Sequence, residues 1–170
     1  KPLVSMSWGS DLMVESGRNL LNKILTKYTL SRSTLLLVDN QAVEQKAIAL
    51  GMLRRRIVKF PWGVDLQQFA PGNSDELRQS LGWQNNFVLL SLRALEPIYG
   101  VDVLAHAFSL AQKEAPGLRL LLLGVGSQAE KIRQILDEAG VTQFVFFGGQ
   151  ISQTELPTIY HNTDLYISTS

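Results

Sequence analysis

Residues 89–108 read LLSLRALEPIYGVDVLAHAF, and the assignment of every other segment follows from this one. Leu89, Leu90 and Leu92 make an apolar run of strand length, and the run ends in a lone arginine, Arg93. A short loop then carries Glu96, Pro97 and Tyr99 to Gly100, after which Val101, Leu104, Phe108 and Ala111 recur at helical spacing. A permanent cation therefore stands where a buried strand runs out and a helix is about to start. Ligands of open parallel sheets bind at that end of the strands. Arg93 either meets an anion there or pairs with Glu96 or another surface carboxylate.

The same alternation extends both ways. Upstream, the pattern predicts a strand at 4–7 and an amphipathic helix at 17–30, with Leu20, Leu21, Ile24, Leu25 and Tyr28 on one side. A strand at 35–38 follows, then a helix capped by Asn40 and closed at Gly51, then a strand at 56–60 stopped by Pro61. Residues 61–75, PWGVDLQQFAPGNSD, have no period and hold two prolines and two glycines, which reads as a linker between two lobes. Downstream come strands at 87–92, 118–123, 144–147 and 165–167, separated by helices. Three pairs have capping-box spacing: Asn73 with Glu76, Ser127 with Glu130, and Ser152 with Glu155. Near-continuous apolar strands alternating with helices specify an α/β fold, with βαβ units building a parallel sheet covered on both faces.

Composition narrows the chemistry. Of 170 residues, 45% are apolar and 18% charged, which favours a well-buried core over disorder. A net charge of +1 gives no global reason to expect nucleic acid, and Arg54, Arg55 and Arg56 read as a solvated strand end. The absence of cysteine excludes disulfides and thiol chemistry, and His106 and His161 are too few for a histidine-rich metal site. His106 falls on the solvent side of its helix and His161 near a turn, and neither is assigned a role. No apolar run reaches the ~20 residues needed to span a bilayer. The basic face of helix 17–30 fits a solvated surface or contact with anionic lipid. The start, KPLVSMSWGSD, lacks an initiator methionine and the layout of a signal peptide, and the end stops on strand-like sequence, so a fragment is expected.

Three consecutive strand ends carry unusual residues: Arg93, then Gly124-Val125-Gly126, then Gly148-Gly149-Gln150. Glycines let a ligand approach the backbone, a helix N-terminus offers unpaired N–H groups to an anion, and arginine adds a charged contact to phosphate. Together they point to a phosphorylated ligand, a nucleotide by preference. The stretch GVGSQA at 124–129 fits the dinucleotide fingerprint, but no acidic residue stands ~20 residues on to hold a ribose, which argues against a nicotinamide cofactor. There is no nucleophile elbow and no D-x-D pair.

At this point the motifs resemble a known family. PWGVDLQQFAP (61–71) is similar to the P-N-G-V-D-x-x-x-F-x-P linker of family 4 (group 1) glycosyltransferases, retaining enzymes of the two-lobed GT-B fold. LRALEPIYGVDVLAHAF (92–108) resembles their R-x-x-x-P-x-K-G-x-x-x-L-x-x-A-F segment, and LLLLGVGSQAEKI (120–132) their L-x-I-V-G-x-G-P loop. Residues 145–170 resemble V-x-F-x-G-x-V-x-x-x-E-L…P-S, and SWGSDL (7–12) the H-G-S-D-L turn of the first lobe.

The resemblance implies an incomplete GT-B chain. Residues 1–60 would end an acceptor-side lobe, 61–75 would link the lobes, and 76–170 would begin a donor-binding lobe. It implies transfer of a sugar, with retention, from a nucleotide sugar to a glycan or lipid-linked acceptor, with no metal or other cofactor. Arg93 and Tyr99 would hold the donor diphosphate, Gly124 and Gly126 the sugar and phosphates, and Gln150 and Ile151 the base, while Gly9 and Ser10 would face the cleft. A cytoplasmic protein is expected, peripheral to the inner face of a membrane in its full length. Self-association of the fragment through its incomplete sheet is expected too.

Three positions depart from the family pattern: Tyr99 replaces a lysine, Trp8 a histidine and Trp62 an asparagine. The E-x₇-E that follows the family's P-S strand would lie past Ser170, so the fragment is expected not to complete turnover alone. The alternative is a non-catalytic, flavodoxin-like nucleotide-binding or interaction module, which accounts poorly for the linker. A sugar-nucleotide epimerase shares the architecture but no matching motif.

Overall fold

The computed structural model describes residues 1–169; Ser170, the last residue of the family resemblance, lies outside them. The chain forms two compact units, one spanning Lys1–Val64 and the other starting at Asp65.

The first unit is a three-stranded parallel sheet in the order β1-β2-β3, with β1 Val4–Met6, β2 Leu35–Val38 and β3 Ile57–Lys59. Its core gathers Leu36 and Val38 of the central strand with Leu12, Leu30, Val43, Ala47 and Met52. Asn40 caps the helix α3 (Gln41–Ala49) by accepting from the Val43 N–H at 3.0 Å. The predicted helix at 17–30 is broken. A π-helical turn at Asp11–Glu15 runs into α1 (Ser16–Arg18), and extended Asn19 then caps α2 (Leu20–Arg32). The apolar side of α2 faces solvent: Leu20, Leu21, Ile24, Leu25 and Tyr28 are all exposed. The helix instead turns Asn22, Thr26 and Leu30 inward, because no element among the described residues lies over its apolar side. The arginine triplet is exposed, in a 3₁₀ turn at Arg54–Arg56, so β3 begins one residue later than its pattern suggests. Arg54 and Lys59 converge on the nearly buried Glu44 at 3.5 and 3.0 Å.

The second unit is a four-stranded parallel sheet in the order β6-β5-β4-β7. Its strands are β4 Phe87–Ser91, β5 Leu118–Leu123, β6 Val145–Gly149 and β7 Leu165–Tyr166. Successive side chains of β4 and β5 enter two separate cores. Val88, Leu90, Leu121 and Leu123 pack with Trp83 on one face, while Leu89, Leu120 and Leu122 pack with helical residues on the other. Those residues come from α5 (Val101–Glu114) and α6 (Ala129–Glu138). On α5 the buried stripe is Val101, Leu104, Ala105, Phe108 and Gln112. Ala111, expected in the core, is exposed, because the 3.6-residue repeat carries the stripe from Phe108 to Gln112.

Two short helices, α4 (Glu76–Leu81) and α7 (Leu156–His161), complete the unit, and a polar network joins them. The Arg78 guanidinium donates to the Asn162 carbonyl (3.0 Å), the Asn86 carbonyl (3.2 Å) and Asp164 Oδ2 (2.7 Å). Asp164 Oδ2 also accepts from the Val88 N–H at 2.7 Å. The capping box expected of Asn73 and Glu76 does not form. The Arg78 N–H in the first turn of α4 is met instead by Oδ1 of the fully buried Asn162, 84 positions away. Ser152 and Glu155 do bond, the carboxylate accepting from both the Ser152 N–H and hydroxyl.

Residues 61–75 contain no helix or strand, and part of this segment is fastened to the second unit. Gln68 donates to the Gln153 carbonyl at 3.0 Å, Phe69 meets Tyr160 edge-on, and the His161 ring lies against Gly72 and 3.0 Å from the Ala70 carbonyl. A β-carbon at Gly72 would fall 2.6 Å from that ring.

Arg78→Met is expected to lower the stability of the chain by about 2–3 kcal/mol, the scale of lost hydrogen bonds to a charged group. A urea titration followed by Trp83 fluorescence measures it, against an exposed control such as Lys113→Met.

Candidate functional site

In the second sheet the chain runs from β4 outward to β5 and β6, then returns to lay β7 on the other side of β4. The strand order reverses between β4 and β7, and a crevice opens at the carboxyl ends of strands at such a point. Arg93 follows β4 there and Ser168 follows β7, and Arg93 Nε donates to Ser168 Oγ at 3.0 Å. The guanidinium also lies 5.6 Å from the centroid of the Tyr99 ring. Among the described residues no carboxylate pairs with Arg93.

Glu96, the carboxylate nearest in sequence, is engaged elsewhere. It accepts from the Ser127 N–H at 2.8 Å and the Ser127 hydroxyl at 2.6 Å, bonds that hold its carboxyl below the usual glutamate range. The capping box expected of Ser127 and Glu130 is therefore replaced. A carboxylate from the neighbouring loop takes the N–H ahead of α6, where the helix dipole favours negative charge.

The two glycines of the Gly124-Val125-Gly126 turn are required by backbone packing. A β-carbon on Gly124 would stand 2.3 Å from the Arg93 carbonyl oxygen, and one on Gly126 2.4 Å from that of Leu95. Gly124 also has φ +151. The close approach lets the Leu95 N–H reach the Val125 carbonyl (3.0 Å) and the Gln128 N–H reach the Leu95 carbonyl (2.9 Å). The loop that carries Arg93 is thus laced to the glycine turn. A third connection comes from β6, whose Gly149 carbonyl accepts from Gly124 N–H at 2.7 Å. β6 extends through both glycines, past the strand end expected at 147.

A groove of about 210 Å³ opens at these strand ends, lined by Leu92, Leu123, Gly124, Gly149, Gln150, Ile151 and Leu156. The fold thus brings Arg93, Tyr99, Gly124, Gly126, Gln150 and Ile151 to the carboxyl end of one sheet, with Gly124, Gln150 and Ile151 in the groove wall. Gly9 and Ser10 belong to the first unit, in the turn after β1, where Gly9 has φ +100 and Ser10 precedes the π-helical turn. Two of the family departures meet in that unit: Trp8 and Trp62 stack with ring centroids 4.8 Å apart. Sequence reasoning missed Ser168, whose place beside Arg93 depends on a strand pairing that no local pattern encodes. It also missed the role of Glu96, although a carboxylate before Pro97 at a loop end was a visible signal.

The profile of the glycosyl transferases group 1 family matches residues 73–170, more than half of the chain, and the chain belongs to that family. Mannosylfructose-phosphate synthase of Agrobacterium fabrum is 30% identical over 131 residues, covering 71% of this chain and 29% of its own length. D-inositol 3-phosphate glycosyltransferase of Mycobacterium ulcerans is 28% identical over 109 residues, 61% of this chain and 23% of its own. Among solved structures, Anabaena HepE in complex with UDP and glucose superposes over 100% of this chain and 47% of its own, with a TM-score of 0.83 at 23% identity, a likeness of fold. The chain spans about a quarter of the length of these curated relatives and about half of HepE.

Gly124→Ala and Gly126→Ala are each expected to destabilise the chain by about 1–3 kcal/mol through overpacking against the Arg93–Leu95 backbone. Val125→Ala, between them and exposed, should be nearly neutral in the same denaturation series. Glu96→Gln tests the loop lock through pH. Because the folded state lowers the Glu96 pKa, the carboxylate stabilises above the ordinary glutamate range and loses that effect as pH falls through its folded value. Wild type should exceed Glu96→Gln in stability at pH 7, and the gap should close on acidification below about pH 4.

Proposed function

We propose that the second unit binds the diphosphate of a nucleotide sugar at Arg93, and that the protein transfers that sugar to a glycan or lipid-linked acceptor. The observation that carries this reading is the unpaired guanidinium: a cation at the point where strand order reverses, with no carboxylate partner among the described residues. Oriented there before any ligand arrives, it would stabilise negative charge developing on the departing diphosphate. The groove supports the same reading. Its glycine wall gives a ligand access to backbone, and Ile151 and Leu156 offer an apolar side to a base beside Gln150.

Retention at the anomeric carbon and independence of metal belong to the same proposal. In this reading Arg93 supplies the charge that a divalent cation supplies in other transferases. The first unit would end the acceptor-side lobe, with Gly9 and Ser10 toward the acceptor, and residues 61–75 would join the lobes. That HepE was solved with UDP and glucose, and that D-inositol 3-phosphate glycosyltransferase is among the relatives, favours a nucleotide sugar over a bare nucleotide as ligand. Among the described residues no helix is long and apolar enough to cross a membrane.

Titration calorimetry with UDP and GDP, and with their glucose and mannose conjugates, tests the proposal. Arg93→Ala should weaken the diphosphate by about 1.5–3 kcal/mol, or roughly 10- to 150-fold. Equal affinity in the variant removes the assigned role. A diphosphate bound equally well with and without its sugar points to the nucleotide-binding module instead.

A further inference from the structure

We infer that Tyr99 is a positioning residue for Arg93, acting through the face of its ring rather than through its hydroxyl. The inference rests on the diphosphate reading above and assigns how that site is prepared. Arg93 is gripped at two points. Its Nε donates to Ser168 Oγ at 3.0 Å, and its Cζ lies 5.6 Å from the Tyr99 centroid. Neither terminal nitrogen bonds a protein group among the described residues, so both are left for a ligand.

Tyr99 is itself fixed. It closes the 3₁₀ turn Pro97–Tyr99, and Gly100 follows with φ +59, a left-handed conformation suited to glycine. The Tyr99 carbonyl accepts from Thr169 Oγ1 at 2.7 Å, and the ring packs against the larger core cluster of the second unit. Thr169 adjoins the serine that holds Arg93 Nε, so the segment after β7 secures both members of the pair at once.

The chemistry follows from what a phenol lacks. A lysine at 99 would bring a second charge and a long mobile stem; a tyrosine brings neither near neutral pH. An arginine free in solution samples many rotamers, and ordering it on binding costs affinity. A ring beneath the guanidinium and a hydroxyl on Nε remove that freedom in advance while leaving the planar fork free for phosphate. The site therefore trades a second cation for one ordered cation. Its affinity for a diphosphate should depend on the ring and not on the hydroxyl.

Calorimetry with inorganic pyrophosphate and with UDP, on the chain as it stands, separates the possibilities. Tyr99→Phe should bind within about twofold of wild type. Tyr99→Leu should bind about three- to tenfold more weakly, and that loss should vanish in an Arg93→Ala background, as coupling of the two side chains requires. A readout free of ligand accompanies it: the Arg93 Nε–Hε resonance should carry a ring-current shift that Tyr99→Phe keeps and Tyr99→Leu loses. Far-ultraviolet dichroism of both variants checks the fold, and the phenylalanine variant carries the test if the leucine variant does not fold. Tyr99→Phe as weak as Arg93→Ala would overturn the inference and make the hydroxyl the ligand group. Wild-type affinity in Tyr99→Leu would overturn it too. Wild-type affinity in Arg93→Ala, or no binding by wild type, would overturn the diphosphate reading beneath it.

Discussion

The second unit depends on one guanidinium. Arg78 is almost enclosed, and its nitrogens collect the Asn86 and Asn162 carbonyls and the Asp164 carboxylate. Each acceptor belongs to a different part of the fold: the turn before β4, the end of α7 and the start of β7. With only two residues, β7 has little ladder of its own, and Asp164 ties its entry to the Val88 N–H. The position of Ser168 follows from that of β7, and the orientation of Arg93 follows from Ser168. A charge-assisted polar cluster thus sets the geometry at the carboxyl ends of β4 and β7. Leaving any one of these groups unpaired in a half-buried place would cost more than the pair itself contributes.

The glycine turn illustrates a second constraint. Glycines at a strand end invite the reading that a ligand comes close to the backbone. Here the immediate neighbour of Gly124 and Gly126 is the protein itself, the Arg93–Leu95 segment, with Glu96 reaching across to Ser127. The close approach does not close the groove. The carbonyl contacts make the Arg93 loop rigid, and the Gly124 surface still lines the groove. Rigidity of this kind is what electrostatic catalysis requires, because a donor that must reorganise during reaction forfeits part of its effect.

Much of this was legible in the residues, and the failures share a cause. The strands Leu35–Val38 and Leu118–Leu123 and the helix Val101–Glu114 lie where their patterns put them, and each of the two strands has a paired strand on both sides. The capping boxes are instructive. Ser152 and Glu155 bond as their spacing implies, whereas in the other two the partner comes from far off in sequence: Glu96 rather than Glu130 accepts from the Ser127 N–H, and Asn162 meets the Arg78 N–H in the first turn of α4. Local spacing describes what a residue can do, and tertiary contacts decide what it does. The apolar side of α2 is the reverse case. Its periodicity was real, but the partner such a stripe requires is not among the described residues. Of the site, the strand-end positions of Arg93, Gly124 and Gln150 could be read directly. Ser168 could not, because nothing nearby in sequence marks it.

The placement of β7 also sets the order in which the carboxyl end of the sheet comes into being. β4 pairs with β5 across one helix, but it meets β7 only after α5, β5, α6, β6 and α7 have been laid down between them. The bonds that join the two, from Val88 to Asp164 and from Arg93 to Ser168, close loops of 76 and 75 residues. Contacts of such long range repay their loop-closure entropy only once the intervening chain is already compact. The cation at the crevice is therefore oriented late in folding, by a two-residue strand docking on β4 after β4, β5 and β6 have paired. Local opening would release it first on the way back.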